Sequence, residues 1–279
     1  LKARHFLLGD GVKNLIGTPT GQEWFATYDG AADAAQLIDI VRDKMSRYRV
    51  LHLRNVVPPG DPLGYWLRVG SAFGSPMALG EDGDTGERKH DESVWSDVRF
   101  TPNRPDTYRY HNVGQPLHTD GAYLPDAGDI VLFYMAKQAQ AGGESLFIDA
   151  ETLAAHAEAE APALLEALTT IPIRFGKQGS ERVVPVLQRE GDRPKLNWNY
   201  YRVLPDQGET IARLREEFQE FLQHLVDSGR VLEFTMRDGD VVLFRDRDVL
   251  HGRRAYAAQD AGDRLLWKSY FVAPERAER

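Results

Sequence analysis

Apolar side chains at Leu37, Val41 and Met45 recur every four residues, with Ile38 alongside, so the stretch from Ala31 to Arg47 predicts an amphipathic helix. Val50 to Val57 reads as a strand, stopped by Pro58-Pro59-Gly60. Asp61 is placed to cap a second helix from Pro62 to Phe73, which Gly74 ends. Thr107 to Asp120 is strand-like. Asp129 to Lys137 is apolar on both faces, which marks a central strand. Gly142-Gly143 turns the chain into a strand from Glu144 to Ile148. Asp149 then caps a helical stretch from Ala150 to Thr169, interrupted at Pro162. Ile171 to Phe175, Val183 to Gln188 and Lys195 to Tyr201 read as strands joined by turns. From Glu209 to Gly229 the stripe Ile211, Leu214, Phe218, Phe221, Leu222 and Leu225 predicts the clearest helix of the chain. The remainder is strand: Val231 to Met236, Val241 to Arg245, Val249 to Tyr256 and Arg264 to Ala273. Asp238-Gly239 forms a hairpin turn between the first two.

No repeat, linker or low-complexity segment divides this pattern. Residues 1–279 are therefore expected to form a single domain, mainly β with flanking helices, closed as a barrel or sandwich. Composition narrows the function. There is no cysteine, which removes disulfides, thiolate metal sites and a cysteine nucleophile, and fits a reducing, cytoplasmic setting. A net charge of −8 with both signs scattered gives no nucleic-acid footprint. No apolar run reaches the roughly 20 residues of a membrane span, so no membrane partner is expected. The pattern carries no signature of oligomeric state. Asp82-Gly83-Asp84-Thr85-Gly86-Glu87 lacks the glycine position and closing glutamate of a calcium loop, and reads as a solvated loop within the polar stretch Glu81 to Asp97.

The chemistry centres on Leu117-His118-Thr119-Asp120. On a strand, side chains two apart point the same way, so His118 and Asp120 can share one metal ion. Val249-Leu250-His251-Gly252-Arg253 supplies a second histidine on a strand near the other end of the chain. Two histidines and a carboxylate make the facial triad of non-haem Fe(II) oxygenases. The other six histidines sit in no ligand pattern. Arg264 opens the last predicted strand, and a guanidinium suits the distal carboxylate of a 2-oxoglutarate co-substrate. Ser145 is the candidate hydroxyl beside it. Lys268 shares a face with Arg264 and is a candidate for an acidic group of the primary substrate. Tyr123 follows the metal motif and is a second substrate-binding candidate. Trp198, Tyr200 and Tyr201 read as strand-core aromatics that could also face a cationic ligand.

These motifs together resemble the TauD/TfdA family, the taurine dioxygenase and clavaminate synthase-like Fe(II)/2-oxoglutarate oxygenases. Val50-Leu51-His52-Leu53-Arg54-Asn55, followed by a helix and Phe73-Gly74-Ser75-Pro76, resembles the family's N-terminal signature. Leu117 to Tyr123 resembles its first metal motif, Gly142-Gly143-Glu144-Ser145 its Gly-Gly-Asp-Thr element, and Gly239 to Phe244 with Leu250-His251-Gly252-Arg253 its second metal motif. The resemblance implies a double-stranded β-helix, or cupin-like jelly roll. It implies Fe(II) on His118, Asp120 and His251, 2-oxoglutarate on Arg264 and Ser145, and succinate and CO2 as co-products with O2 consumed. Lys268 stands where taurine dioxygenase has an arginine for its sulfonate, a departure that weakens a sulfonate substrate. Ser145 stands for the usual threonine and keeps the hydroxyl. Asp120 is retained where halogenating relatives have a small residue, which points to oxygenation.

The expected reaction is oxidation of an unactivated C–H bond in a small polar or anionic, amino-acid-like metabolite. Hydroxylation leads, and desaturation or ring formation uses the same ligands. A tailoring step in natural-product biosynthesis follows from family breadth. Two rival classes remain: a metal-dependent hydrolase using the same triad for zinc, which would not need Arg264, and a non-catalytic jelly-roll binding module. The stretches 80–100 and 174–194 are expected to act as lids.

Overall fold

The computed structural model describes residues 24–30, 33–78, 94–102, 108–125, 128–177, 179–190 and 193–272. In chain order the first half runs β1 (Phe25–Asp29), α1 (Ala34–Arg47), β2 (Val50–Arg54), α2 (Pro62–Gly70), β3 (Ser75–Met77), β4 (Ser96–Arg99), β5 (Gln115–His118), β6 (Ile130–Lys137) and β7 (Ser145–Asp149). The second half runs α3 (Ala150–Glu160), α4 (Pro162–Thr170), β8 (Ile173–Lys177), β9 (Ser180–Val184), β10 (Leu187–Glu190), β11 (Arg193–Leu196), α5 (Glu209–Asp227), β12 (Leu232–Phe234), β13 (Val241–Arg245), β14 (Val249–Arg253) and β15 (Leu265–Val272).

Two sheets face each other. The larger has the order β1-β2-β13-β6-β15-β3, with β4 also on β15; the smaller has the order β12-β7-β14-β5. Strand alternation divides the apolar residues among three clusters. On β6 and β13, Ile130, Leu132, Val241 and Leu243 point outward and pack under α1 and α2. Their neighbours Val131, Met135, Val242 and Phe244 point inward, where they meet Phe147 of β7. The far face of the smaller sheet, including Leu117, Leu146, Ile148 and Leu250, is covered by α3, α4 and α5. Central β6 and β13 are thus buried on both sides, which is why their sequences read as continuous apolar runs. The interior between the sheets is where β5 and β14 present their histidines. This is the β-rich jelly-roll architecture.

Helix boundaries follow local chemistry. Asp33, Asp61 and Asp149 each accept hydrogen bonds from backbone N–H groups of the turn they cap, contacts worth about 1 kcal/mol apiece. Pro162 divides α3 from α4, because its ring and missing N–H cannot continue a helix but suit the first turn of a new one.

Several elements are shorter than the sequence pattern predicts. The expected strand from Val183 to Gln188 is split into β9 and β10 around Pro185, which has no N–H for a ladder. Among the described residues of the Thr107–Asp120 stretch only Gln115–His118 is strand; residues 108–110 turn, and Asp120 lies in a turn beyond β5. There the N–H groups of Asp120 and Gly121 bond to the side chain of Asp246 rather than to a neighbouring strand. Lys195–Tyr201 ends its strand at Leu196 and closes in a 3-10 turn over Tyr200–Arg202, where Asn199 accepts from the Tyr201 N–H. β14 stops at Arg253. Arg264 lies immediately before β15 rather than inside it. Ser96–Arg99, placed partly in the polar loop by its composition, pairs with β15 as β4. The acidic loop 82–87 lies outside the described residues, as does most of the lid expected over 80–100.

Candidate metal centre and co-substrate pocket

Thr119 sets the metal motif in place. Its N–H donates to the Trp198 carbonyl at 2.6 Å, and its hydroxyl accepts from the Trp198 N–H at 3.1 Å. Thr119 is therefore drawn outward toward Trp198, while His118 and Asp120 turn inward on either side of it. Opposite, His251 of β14 is the register partner of His118. Gly252 keeps β14 close to β5, since a Cβ there would come within 2.7 Å of the Gln115 carbonyl oxygen.

The ligating atoms of His118, Asp120 and His251 all lie within 4.8 Å of one another. The Nε2 of His118 is 3.5 Å from Asp120 Oδ1, and the Nε2 of His251 is 3.6 Å from Asp120 Oδ2. A first-row metal bonded at about 2.0–2.2 Å fits between atoms so spaced. The Pro116 carbonyl lies 2.9 Å from His118 Nδ1 and selects the tautomer with its proton there, leaving Nε2 as a lone-pair donor, which Gln115 meets at 3.0 Å. Burial, then the neighbouring His118, holds the His251 imidazole neutral well below the ordinary histidine range. Burial pushes the Asp120 carboxyl up, but Lys268, His251 and His118 together outweigh it and keep it ionised well below the usual carboxylate range. Asp120 Oδ2 is buried with no hydrogen-bond partner. Two imidazoles and one carboxylate, one of whose oxygens has no hydrogen-bond partner, suit Fe(II) with open positions.

Sequence reasoning passed over Asp246, which lies in the charged run Arg245 to Asp248 and reads there as a surface turn. It is 2% exposed. Its carboxylate accepts from the N–H groups of Asp120 at 3.0 Å and Gly121 at 3.2 Å, and lies 3.9 Å from His251 Nδ1. Asp246 thus ties the turn carrying one ligand to the strand carrying another. Burial, then repulsion from Asp120, pushes its carboxyl up to about 7. Asp246→Ala is expected to cost about 1–3 kcal/mol through the two buried N–H groups left unpaired. Fe(II) affinity should drop about 10- to 100-fold, the range for lost supporting partners of ligands. Urea unfolding and Fe(II) titration measure the two; unchanged metal affinity would remove Asp246 from the centre.

β15 brings Lys268 to the same interior. Leu266 and Tyr270, on its face, belong to the inter-sheet cluster, and Lys268 pairs in register with Phe133, whose ring contacts His251 at 5.6 Å. Lys268 Nζ donates to Asp120 Oδ1 at 2.9 Å. Its charge is directed at the metal site and not at solvent.

A second group lies further along the same interior face. On β14, Arg253 follows His251 by two residues, and across the ladder Ser145 and Phe147 of β7 are their partners. Arg264 is 2% exposed, Arg253 5% and Ser145 7%. Burial, then the Arg253 charge, lowers Arg264 to about 9, still cationic at neutral pH. Neither guanidinium has a carboxylate partner among the described residues, and Arg264 Nη1 is an orphaned donor. A buried cation without a counter-ion costs several kcal/mol on the order of other buried unpaired ions, so this pocket fits an anion such as the distal carboxylate of 2-oxoglutarate.

The aromatic candidates are placed differently. Trp198 is fully buried among the helical-side residues, edge-on to Phe218 of α5 at 4.7 Å. Tyr200 donates to Glu216, and the exposed Tyr201 pairs with Tyr108. Trp198 and Tyr200 are thus turned to the helical side, and β11 ends before all three. Tyr123, expected at the substrate, packs in that same helical-side cluster, with Lys177 and Arg202 at 5.7 and 5.8 Å from its ring.

Fold and site together define an oxygenase of the facial-triad class. Residues 15–270 match the taurine catabolism dioxygenase TauD, TfdA family, and the chain belongs to that family of iron- and 2-oxoglutarate-dependent dioxygenases. It is 24% identical over 163 residues to a trimethyllysine dioxygenase of Meyerozyma guilliermondii, a match covering 54% of this chain and 41% of that one. It is 28% identical over 211 residues to a uridine-5'-phosphate dioxygenase of Amycolatopsis sp, covering 69% and 73%. The chain thus spans less than half the length of the first relative. Among solved structures, the non-heme iron oxygenase OrfP in complex with Fe, succinate and (3S)-hydroxy-L-Arg shares the fold, with a TM-score of 0.64 at 16% identity over 88% of this chain and 84% of that one. Among the described residues no helix is long and apolar enough to cross a membrane.

Proposed function

We propose that this chain oxidises an unactivated C–H bond of a small, anionic, amino-acid-like substrate, with hydroxylation as the outcome. One observation carries the reading: the His118, Asp120 and His251 cluster shares a buried interior with Arg264, a guanidinium lacking any carboxylate partner among the described residues. A zinc hydrolase has no use for that cation, and a binding module has no use for the triad. Fe(II) with 2-oxoglutarate and O2 supplies the oxidising power when bound. This chain's residues position the reactants. His118, Asp120 and His251 would hold the metal. Arg264 takes the distal carboxylate of 2-oxoglutarate, with Ser145, its candidate hydroxyl partner, on the same interior face. The phenyl rings of Phe133, Phe147 and Phe244 pack around His251 and exclude water from that side.

The anionic character of the substrate rests on Lys268. A half-buried ammonium beside a carboxylate that a metal would share is left with spare donors, since an ammonium has three. A carboxylate or phosphate arriving at the open side of the metal meets them. A relative named for uridine-5'-phosphate accords with an anionic substrate, and the hydroxylated arginine bound to OrfP, though a net cation, carries the α-carboxylate such a site would take. Tyr123 follows the metal motif on the chain and, with Lys177 and Arg202 near its ring, is kept as a candidate for the outer end of such a substrate.

The test is a screen of carboxylate- and phosphate-bearing metabolites for stimulated succinate formation. Stimulation only by compounds without a carboxylate or phosphate would defeat the anionic reading. With a substrate in hand, Lys268→Ala is expected to raise its KM about 10- to 100-fold, the value of one charge-assisted contact. An unchanged KM would remove Lys268 from the substrate site.

A further inference from the structure

Arg264 is not the only buried cation in the co-substrate pocket. Tyr256 carries two guanidiniums against its ring, with Arg253 Cζ 4.6 Å and Arg264 Cζ 5.1 Å from the centroid. Arg253 uses one nitrogen, Nη2, to grip the carbonyls of His111 and Val113 at 2.9 and 2.8 Å. Its Nε and Nη1 are buried and have no partner. Arg264 spends Nε on Gln138 Oε1 at 3.3 Å, while its Nη1 and the Gln138 amide nitrogen are also orphaned. Four unpartnered donor atoms are gathered in one buried locality. An acceptor-only group completes it, and a carboxylate with two oxygens is the simplest such group.

The surrounding backbone is shaped to hold this pair. Gly142 and Gly143 both have φ of +77°, and a Cβ on Gly142 would fall 2.2 Å from the Ala255 carbonyl. Only glycine lets the turn lie so close beside Tyr256. A Cβ on Gly143 would come within 3.5 Å of Arg264 Nε. Ser145, just beyond this turn, is the register partner of Arg253. Arg253 lies two residues beyond His251, about 7 Å along a strand, which is roughly the span from a chelated keto group to the far end of a five-carbon diacid.

We infer that Arg253 is a second cationic contact for the co-substrate's distal carboxylate, so that paired guanidiniums on Tyr256 make the pocket selective for keto acids ending in a carboxylate. This rests on the 2-oxoglutarate reading given above. A single guanidinium would bind such an anion; a pair makes binding of an uncharged tail costly, because both cations would stay buried without a counter-ion.

The experiment compares 2-oxoglutarate with 2-oxopentanoate, which has the same chain length and a methyl in place of the distal carboxylate. Both are titrated into anaerobic protein with Fe(II), and the visible charge-transfer band gives each Kd. Wild-type protein should prefer 2-oxoglutarate, and Arg253→Gln should reduce that preference about 10- to 100-fold, chiefly by weakening 2-oxoglutarate. Arg253→Lys, which keeps the charge but not the fork, should lie between. A role limited to bracing residues 111–113 would weaken both keto acids alike and leave the ratio unchanged, which overturns the inference. Wild-type protein that shows no preference sinks instead the 2-oxoglutarate reading. Circular dichroism confirms folding, and if Arg253→Gln does not fold, the ratio in Arg253→Lys decides.

Discussion

Replacing His251 with alanine is expected to abolish Fe(II) binding and, with it, all turnover of 2-oxoglutarate. His251 would supply one of three ligands, its Nε2 lying 3.6 Å from Asp120 Oδ2. Losing a partner that merely supports a ligand weakens such sites about 10- to 100-fold, so losing a ligand itself should exceed that range. The imidazole also fills space among Phe133, Phe147 and Phe244. Some stability should be lost as well, and the comparison is made below the melting temperature with the fold verified by circular dichroism. Metal affinity comes from competition with a chromogenic chelator. Retention of tight Fe(II) binding by the alanine variant would show that the triad is not the metal centre.

Arg264→Gln is expected to separate binding from stability. Truncating one side of a buried charged contact costs about 2–5 kcal/mol of affinity, so the Kd for 2-oxoglutarate should rise from about 30-fold to several thousand-fold. The same change removes a guanidinium that is 2% exposed and lacks a carboxylate partner among the described residues. The ligand-free protein should therefore keep or gain stability, as expected where a site retains a costly group for function. Thermal melts without ligand and titrations of 2-oxoglutarate supply the two numbers. A variant that melts lower and binds 2-oxoglutarate normally would assign Arg264 to the core.

What could be read in the sequence depended on how local the cause was. The stripe Ile211 to Leu225 predicted α5 because a helix repeats its face within a few residues, and Asp61 and Asp149 marked helix starts through bonds to the next turn. The triad was legible for a different reason, because only a few residue types can ligate iron and the motifs carried a family resemblance. The spacing argument for His118 and Asp120 reached the right pair through a partly different geometry. Asp120 is beyond β5, and its inward aim comes from Thr119 bound to Trp198 and from Asp246 bound to the turn. Those contacts join positions 79 and 125 or 126 residues apart, and no local pattern encodes them. Asp246 was missed for this reason: in Arg245-Asp246-Arg247-Asp248 alternating charge looks like surface. Arg253 stood within a recognised motif, yet its proximity to Arg264 depends on the ladder between β14 and β7 and the Gly142-Gly143 turn. Tyr123 adjoins a metal ligand in sequence, but the turn carries its ring into the helical-side cluster.

The central claim is that His118, Asp120 and His251 hold iron in a barrel that also seats 2-oxoglutarate. It is tested most directly by adding Fe(II) and then 2-oxoglutarate to the anaerobic wild-type protein while recording its visible spectrum. The account predicts a weak charge-transfer band that appears only with both additions and saturates at one equivalent of 2-oxoglutarate per chain. Protein that binds Fe(II) yet gives no band at saturating 2-oxoglutarate would contradict it.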